Sequence, residues 1–290
     1  MSNSLPRPAA PAPDETRSVL AIPAFRRLWQ AMAFGSLGDW LGLLATTALA
    51  QQLSGGSYAK ANFAIAGVFI ARLLPAVFLG PIAGVIADRI DRRIMMVVAD
   101  VIRFALYISI PIVNNYFWLY TATILVECVS LFWSPAKDAS VPNLVPKEKL
   151  ESANQVSLFA AYGTAPIAAG LFAILALFSS AIASAFPGFK GTSIDIALYI
   201  NALSFAFSAW TIFHLREIPK RSRTGKKADS SVGKSLIEGY KAVSSSKIIR
   251  GLVVGMIGAF IAAGAVIGLA RTFVGDLGGG DAGYGEIGRA

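Results

Sequence analysis

Long apolar runs, each able to cross a bilayer, alternate in this chain with short segments that hold most of its Lys and Arg. Between the second and third runs lies GVIADRIDRR, residues 84–93. Upstream of it, 61–86 is interrupted only by Asn62 and Arg72, and downstream 94–112 carries only Asp100 and Arg103. About 20 apolar residues, rising 1.5 Å each in a helix, cover the hydrocarbon core. The segment is therefore a basic turn joining two membrane-crossing helices.

Composition points the same way. Apolar residues make up 55% of the chain and charged residues 15%, against about 25% charged in soluble domains, and the mean hydropathy is +0.59. This is an integral membrane protein. The net charge of +9 does not indicate nucleic acid, because the Lys and Arg fall between apolar spans and are not gathered on one folded polar face. The single cysteine, Cys128, allows neither an intrachain disulfide nor a cysteine metal cluster. The single histidine, His214, closes an apolar helix at the membrane interface.

Seven spans follow from hydropathy and length: 28–52, 61–86, 94–112, 118–133, 153–186, 196–213 and 249–270. The fifth is longer than a bilayer requires and is expected to begin in the cytoplasm and tilt. Residues 1–27 read as a disordered cytoplasmic tail, rich in Pro, Ala and polar residues. Residues 28–214 form a six-helix transmembrane bundle, 215–248 a basic cytoplasmic linker with an amphipathic helix, and 249–290 the start of a second bundle. Arg26, Arg27, Arg89, Arg92, Arg93, Lys137, Lys147, Lys149 and the run from 216 to 227 fall on one side if the first helix starts inside, whereas the opposite loops hold little more than Lys60 and Lys190. The positive-inside rule thus places the N-terminus in the cytoplasm.

The turn resembles the first cytoplasmic loop of the major facilitator superfamily, whose pattern is G-x-x-x-D-R-x-G-R-R/K. Gly84, Asp88, Arg89, Arg92 and Arg93 match it in register. Asp91 stands where the pattern has Gly, and since Asp also populates the left-handed region the turn is expected to survive. LFWSPAKDASVPNLVPKEKLESANQ, 131–155, and NALSF, 201–205, are similar to the branch holding macrolide-efflux and enterobactin-export proteins. The resemblance implies an all-α fold of twelve helices in two six-helix halves, with a small-molecule substrate bound between them. The chain would supply the first half, the linker and one helix, so transport would require the missing C-terminal half or a partner protomer. By the same resemblance, Asp88 and Arg92 belong to a conformational latch and not to a substrate site. The family's helix-five pattern, G-P-x-x-G-G, is reduced here to Ala165, Pro166 and Gly170 with alanines between. A kink at Pro166 and close packing at Gly170 are expected.

Five charged residues lie within the spans, away from the span ends: Asp39, Arg72, Asp100, Arg103 and Glu127. A charge in hydrocarbon costs about 2.5 to 3.5 kcal/mol on insertion scales, so each should face a partner or a cavity. Counted from the cytoplasmic span ends, Asp39 and Arg72 fall at roughly 17 and 21 Å, Arg103 and Glu127 at roughly 14 and 10 Å. This predicts an Asp39 to Arg72 pair. Three acids facing two bases leave one carboxylate short of a partner, and Glu127 is the expected proton carrier. Asp100 and Arg103, three apart near the interface, read as structural.

These features together predict a bacterial plasma-membrane transporter exporting a small amphipathic molecule by alternating access, with the proton as coupling ion, lipid as its surroundings and no cofactor. Phe34, Trp40, Phe159 and Tyr162 supply aromatic surface for the cavity that the resemblance implies. The alternative is a non-transporting half-protein that binds lipid or a partner. An enzyme is disfavoured, because no nucleophile and base pair, metal cluster or phosphate loop stands out. The charge asymmetry makes the topology testable: cysteines placed at Ser222 and Ser57 should label from opposite sides with an impermeant maleimide, and equal labelling from outside would reject the topology.

Overall fold

The computed structural model describes residues 19–56, 58–87, 90–185 and 192–218, with scattered positions between 245 and 262. Every regular element among them is helical: α1 (Pro23–Leu53), α2 (Tyr58–Ala87), α3 (Arg92–Val113), α4 (Tyr116–Leu144), α5 (Leu150–Tyr162), α6 (Ala165–Ala185) and α7 (Ser193–Phe213). Residues 1–18, the linker from 219 to 244 and most of the seventh span lie outside the described residues.

Local chemistry sets the helix ends. Pro23 opens α1, where its missing N–H costs nothing. After Ser54 the chain turns through Gly55 and Gly56 at φ +65° and +82°, a region that favours glycine. Two asparagines reverse the chain between α3 and α4: Asn114 ends α3 in the left-handed conformation, and the Asn115 side chain accepts from the Trp118 N–H at 2.8 Å. Thr192 and Asp195 close a reciprocal capping box at the start of α7.

Five helices close a circuit. α7 packs between α1 and α3, α4 between α3 and α2, and α2 returns to α1, while α5 and α6 lie against α1. The buried side chains fall into two clusters. One, around Leu49, Ile110, Leu119 and Leu198, fills the end where α1 and α3 finish. The other, around Phe25, Leu28, Met96, Ala136, Ile212 and Leu215, fills the end where they begin. That second end is the basic one: Arg27 pairs with Glu217 at 3.3 Å, Arg92 Nη1 donates to the Ala139 carbonyl at 2.7 Å, and the Arg93 guanidinium lies 5.7 Å from the centre of the Phe213 ring.

Among the described residues, five helical segments are long and apolar enough to cross a membrane: Ala59–Gly80, Arg92–Val113, Tyr116–Leu144, Lys147–Phe178 and Ser193–Phe213. α1 is long enough at 31 residues, but it carries Gly35, Ser36, Gly38, Asp39, Thr46 and Thr47 and is not among them. Two expected spans are redrawn. The fourth does not stop near Trp133, because α4 runs on through Pro135 and Pro142 to Leu144, with Ala136, Ser140 and Leu144 buried. The fifth is not one tilted helix. It breaks at Gly163, where a Cβ would lie 2.7 Å from the Phe159 carbonyl oxygen, and Pro166 falls in the first turn of α6, where proline is tolerated. The close packing expected at Gly170 is not seen among the described residues, where a Cβ at that position would meet nothing within 4 Å.

Asp91 also departs from its expected conformation. Its backbone is extended, at φ −60° and ψ 118°, and its carboxylate caps α3 by accepting from the Arg93 and Ile94 N–H groups at 3.0 and 3.1 Å. Replacing the family's glycine with Asp thus trades a flexible turn for a cap. Asp91→Ala should lower stability by about 1 kcal/mol and Asp91→Gly by a few tenths, the usual worth of such a cap. Thermal unfolding in detergent checks this, and a glycine variant more stable than the parent would instead indicate a strained left-handed turn.

Candidate functional site: a charge network inside the bundle

Arg72, from α2, meets Glu127, from α4, with Nε 3.1 Å from Oε1 and both side chains about four-fifths buried. The expected pairing of Arg72 with Asp39 is therefore corrected. The reason lies in the length of α4. With that helix extended to Leu144, Glu127 stands about 25 Å from its basic end at 1.5 Å per residue, level with Arg72 at about 22 Å and Asp39 at about 24 Å. Ending the fourth span at Trp133 had placed Glu127 far too near the interface.

Asp100 and Arg103 form a second network, in which the buried Arg103 Nε has no hydrogen-bond partner among the described residues. Arg103 Nη2 donates to Asp100 Oδ1 one turn earlier on α3. The other carboxylate oxygen accepts from Ser208 Oγ of α7 at 2.7 Å and from Trp133 Nε1 of α4 at 3.2 Å. The guanidinium lies over the rings of Phe205 and Trp133, at 4.3 and 5.3 Å from their centres. Asp100 is fully buried and Arg103 nearly so. Such an arrangement ties three helices together.

Asp39 is the acid left over. It lies within electrostatic reach of both Arg103 and Arg72 yet forms no ion pair or hydrogen bond among the described residues. The surplus carboxylate is thus Asp39 and not Glu127.

Two residues absent from the expected site complete its surroundings. Tyr107 stacks on Phe205 with ring centres 5.6 Å apart and lies beside Arg72. Asn201 of α7 is wholly buried, and neither of its amide atoms has a well-formed hydrogen-bond partner. It rests on α1 at two glycines: a Cβ at Gly38 would lie 2.5 Å from Asn201 Oδ1, and one at Gly42 would lie 2.2 Å from Asn201 Nδ2 and 3.1 Å from the Tyr107 hydroxyl. The signal was in the sequence as Gly38-x-x-x-Gly42, the spacing that lets helices approach closely.

The aromatic candidates divide. Trp40 Nε1 donates to the Ala161 carbonyl at 2.9 Å, beside the break between α5 and α6. Phe159 and Tyr162 are exposed, and Phe34 is exposed against Phe207. Of the loop motif, Gly84 lies in α2, Asp88 and Arg89 lie outside the described residues, and Arg92 reaches α4, so the Asp88 to Arg92 contact is not described.

An all-helical bundle with apolar, membrane-length helices and ionisable residues held between them defines a polytopic membrane protein. The family model described as transmembrane secretion effector matches residues 15–287, and the chain belongs to that family, within the major facilitator transporters. It is 29% identical over 190 residues to the uncharacterized MFS-type transporter YfiS of Bacillus subtilis, covering 65% of this chain and 41% of that protein. It is 31% identical over 149 residues to the uncharacterized MFS-type transporter Rv0037c of Mycobacterium tuberculosis, covering 50% and 33%. Against the Putative bacilysin exporter BacE of B. subtilis it is 26% identical over 238 residues, covering 79% and 52%. The chain spans about a third to a half of the length of these curated relatives.

Two double-variant comparisons test the geometry. Arg72→Gln alone strands Glu127 in the bundle and should cost about 3 to 5 kcal/mol, the usual penalty for breaking a buried pair on one side. Adding Glu127→Gln should recover most of it, and adding Asp39→Asn should not; the reverse order of melting temperatures would restore the Asp39 pairing. Gly42→Ala should destabilise by about 1 to 3 kcal/mol through overpacking, and Asn201→Ala in the same chain should relieve that loss.

Proposed function

We propose that the chain forms the N-terminal half of a secondary transporter that exports a small amphipathic molecule by alternating access, coupled to proton entry, and that the C-terminal half completes the substrate site. The observation that carries the coupling is the imbalance around Arg72. One cation contacts Glu127 while a second carboxylate, Asp39, stands at the same depth within its electrostatic reach and has no ion pair among the described residues. A guanidinium can neutralise one carboxylate fully and not two, so Asp39 is the carboxylate available to exchange a proton. A helix movement that brought Arg72 toward Asp39 would release the proton there and favour its uptake at Glu127. The coupling role expected for Glu127 is thus shared with Asp39.

Membership in the family supports transport, and the exporter name of one relative supports the outward direction. In this reading residues 84–93 bias the cycle from the cytoplasmic side, because Arg92 joins the start of α3 to α4 by a single hydrogen bond that a helix movement can break. Neither step involves a cofactor.

The test uses the intact gene product in proteoliposomes, with ethidium and a panel of neutral amphipathic dyes as probes. An imposed pH gradient should drive accumulation by the parent. Asp39→Asn should abolish gradient-driven accumulation while leaving dye exchange without a gradient, since an amide carries no proton. Full gradient-driven accumulation by Asp39→Asn would remove the coupling role, and absence of transport for every probe by the parent would remove the export of amphipathic molecules.

A further inference from the structure

A row of aromatic side chains runs down one exposed face of the basic end. Phe213 and His214 meet edge to face with ring centres 5.4 Å apart, His214 and Trp210 lie at 5.0 Å, Trp210 and Phe207 at 6.4 Å, and Phe207 meets Phe34 of α1 at 4.7 Å. The rings face outward: Phe213 is 57% exposed, Trp210 62% and Phe34 47%. At 1.5 Å per residue, Trp210 and Phe207 lie about 4.5 and 9 Å inward from Phe213, within a single leaflet of the hydrocarbon core. The Arg93 guanidinium stands at the head of the row, over Phe213.

The charges at this head are unbalanced among the described residues. Arg93 has no carboxylate partner there. The nearby Asp91 carboxylate accepts two backbone N–H groups, and Glu217 pairs with Arg27. Arg216 is exposed at the end of α7. Isolated Trp and Phe at a membrane interface are ordinary anchors. A continuous strip of rings with a cation at its interfacial end that has no carboxylate partner among the described residues is a more specific shape, apolar along its length and positive at one tip.

We infer that this strip is a binding site for a phospholipid with an anionic headgroup, its phosphate on Arg93 and its first acyl chain along Phe213, Trp210, Phe207 and Phe34. Charge complementarity selects the occupant. A zwitterionic lipid offers the same chains, but its cationic group is repelled by Arg93, whereas phosphatidylglycerol carries net negative charge. A guanidinium hydrogen-bonds phosphate oxygens in pairs, and the face of an aromatic ring fixes the guanidinium's orientation. One basic residue near an anionic surface corresponds to about fivefold in affinity.

Trp210 reports occupancy directly. The chain is reconstituted in phosphatidylcholine vesicles containing an equal small fraction of either brominated phosphatidylglycerol or brominated phosphatidylcholine with the same acyl chains. The Trp210 signal is the difference between the parent and Trp210→Phe. Brominated phosphatidylglycerol should quench it with about fivefold higher apparent affinity, Arg93→Gln should bring the ratio close to one, and Arg93→Lys should keep most of it. Equal quenching by the two lipids in the parent overturns the site without reference to any variant. Selectivity that survives Arg93→Gln overturns the role of Arg93. Loss of selectivity on adding inorganic phosphate identifies a free-anion site and overturns the lipid assignment.

Discussion

A bilayer offers an ionised side chain no water, and that constraint organises this molecule. Each charge carried into the hydrocarbon must be matched by a group on another helix or on the next turn of its own, at a cost of a few kcal/mol if it is not. Arg72 and Glu127 therefore do more than attract: they fix the height of α2 against α4. Asp100, accepting from Arg103, Ser208 and Trp133, does the same for α3, α7 and α4. Apolar packing alone could not set these registers, because lipid tails compete equally well for an apolar helix face.

α1 is held in a different way. Gly38 and Gly42 remove the side chains that would separate it from α7, and Asn201 fills the space from the other side. Along another face, Trp29 and Trp40 donate to the Val156 and Ala161 carbonyls of α5. The helix is thus bound by close backbone approach, by two indole hydrogen bonds, by the Tyr116 hydroxyl donating to the Ala50 carbonyl and, at its basic end, by the Arg27 to Glu217 ion pair, while Asp39 makes no such attachment among the described residues. A buried amide with no well-formed partner costs about 1 to 3 kcal/mol, so the contact between Asn201 and α1 is close in space without being the best that an amide can make.

Much of the fold was legible because hydropathy reports what lipid requires. The ends of the second, third and sixth spans fall within a few residues of α2, α3 and α7. What hydropathy could not show was a helix leaving the membrane: α4 continues through two prolines because Ala136, Ser140 and Leu144 are buried at the basic end, and no local signal records that tertiary contact. The error passed directly to the site, since Glu127 was placed by counting from the wrong end point. The five charges were legible as a set from their rarity, while their pairing depended on helix length and facing, which the sequence does not carry. Asn201 is a lone amide inside an apolar stretch, and Gly38 and Gly42 are its counterpart in the sequence. At Asp91 the sequence is compatible with a turn or a helix start, and the commoner use of Asp at a helix start is to accept backbone N–H groups.

The contrast between Asp100 and Asp39 bears on what the bundle can do. Both acids lie among the same helices, and donors are plentiful enough there for Asp100 to accept three hydrogen bonds. Asp39 accepts none from the described residues, although Arg72 and Arg103 both feel its charge. A bundle selected for rigidity alone gains nothing from an acid kept in this condition, because Asn or Ser at the same position would be cheaper in hydrocarbon. An acid that must gain and lose a proton needs the opposite of the Asp100 environment, with partners near enough to matter and none that holds it fast. In the proposed coupling, saturating one carboxylate and leaving another within reach of a cation already engaged would supply the two charge states that an alternating cycle needs.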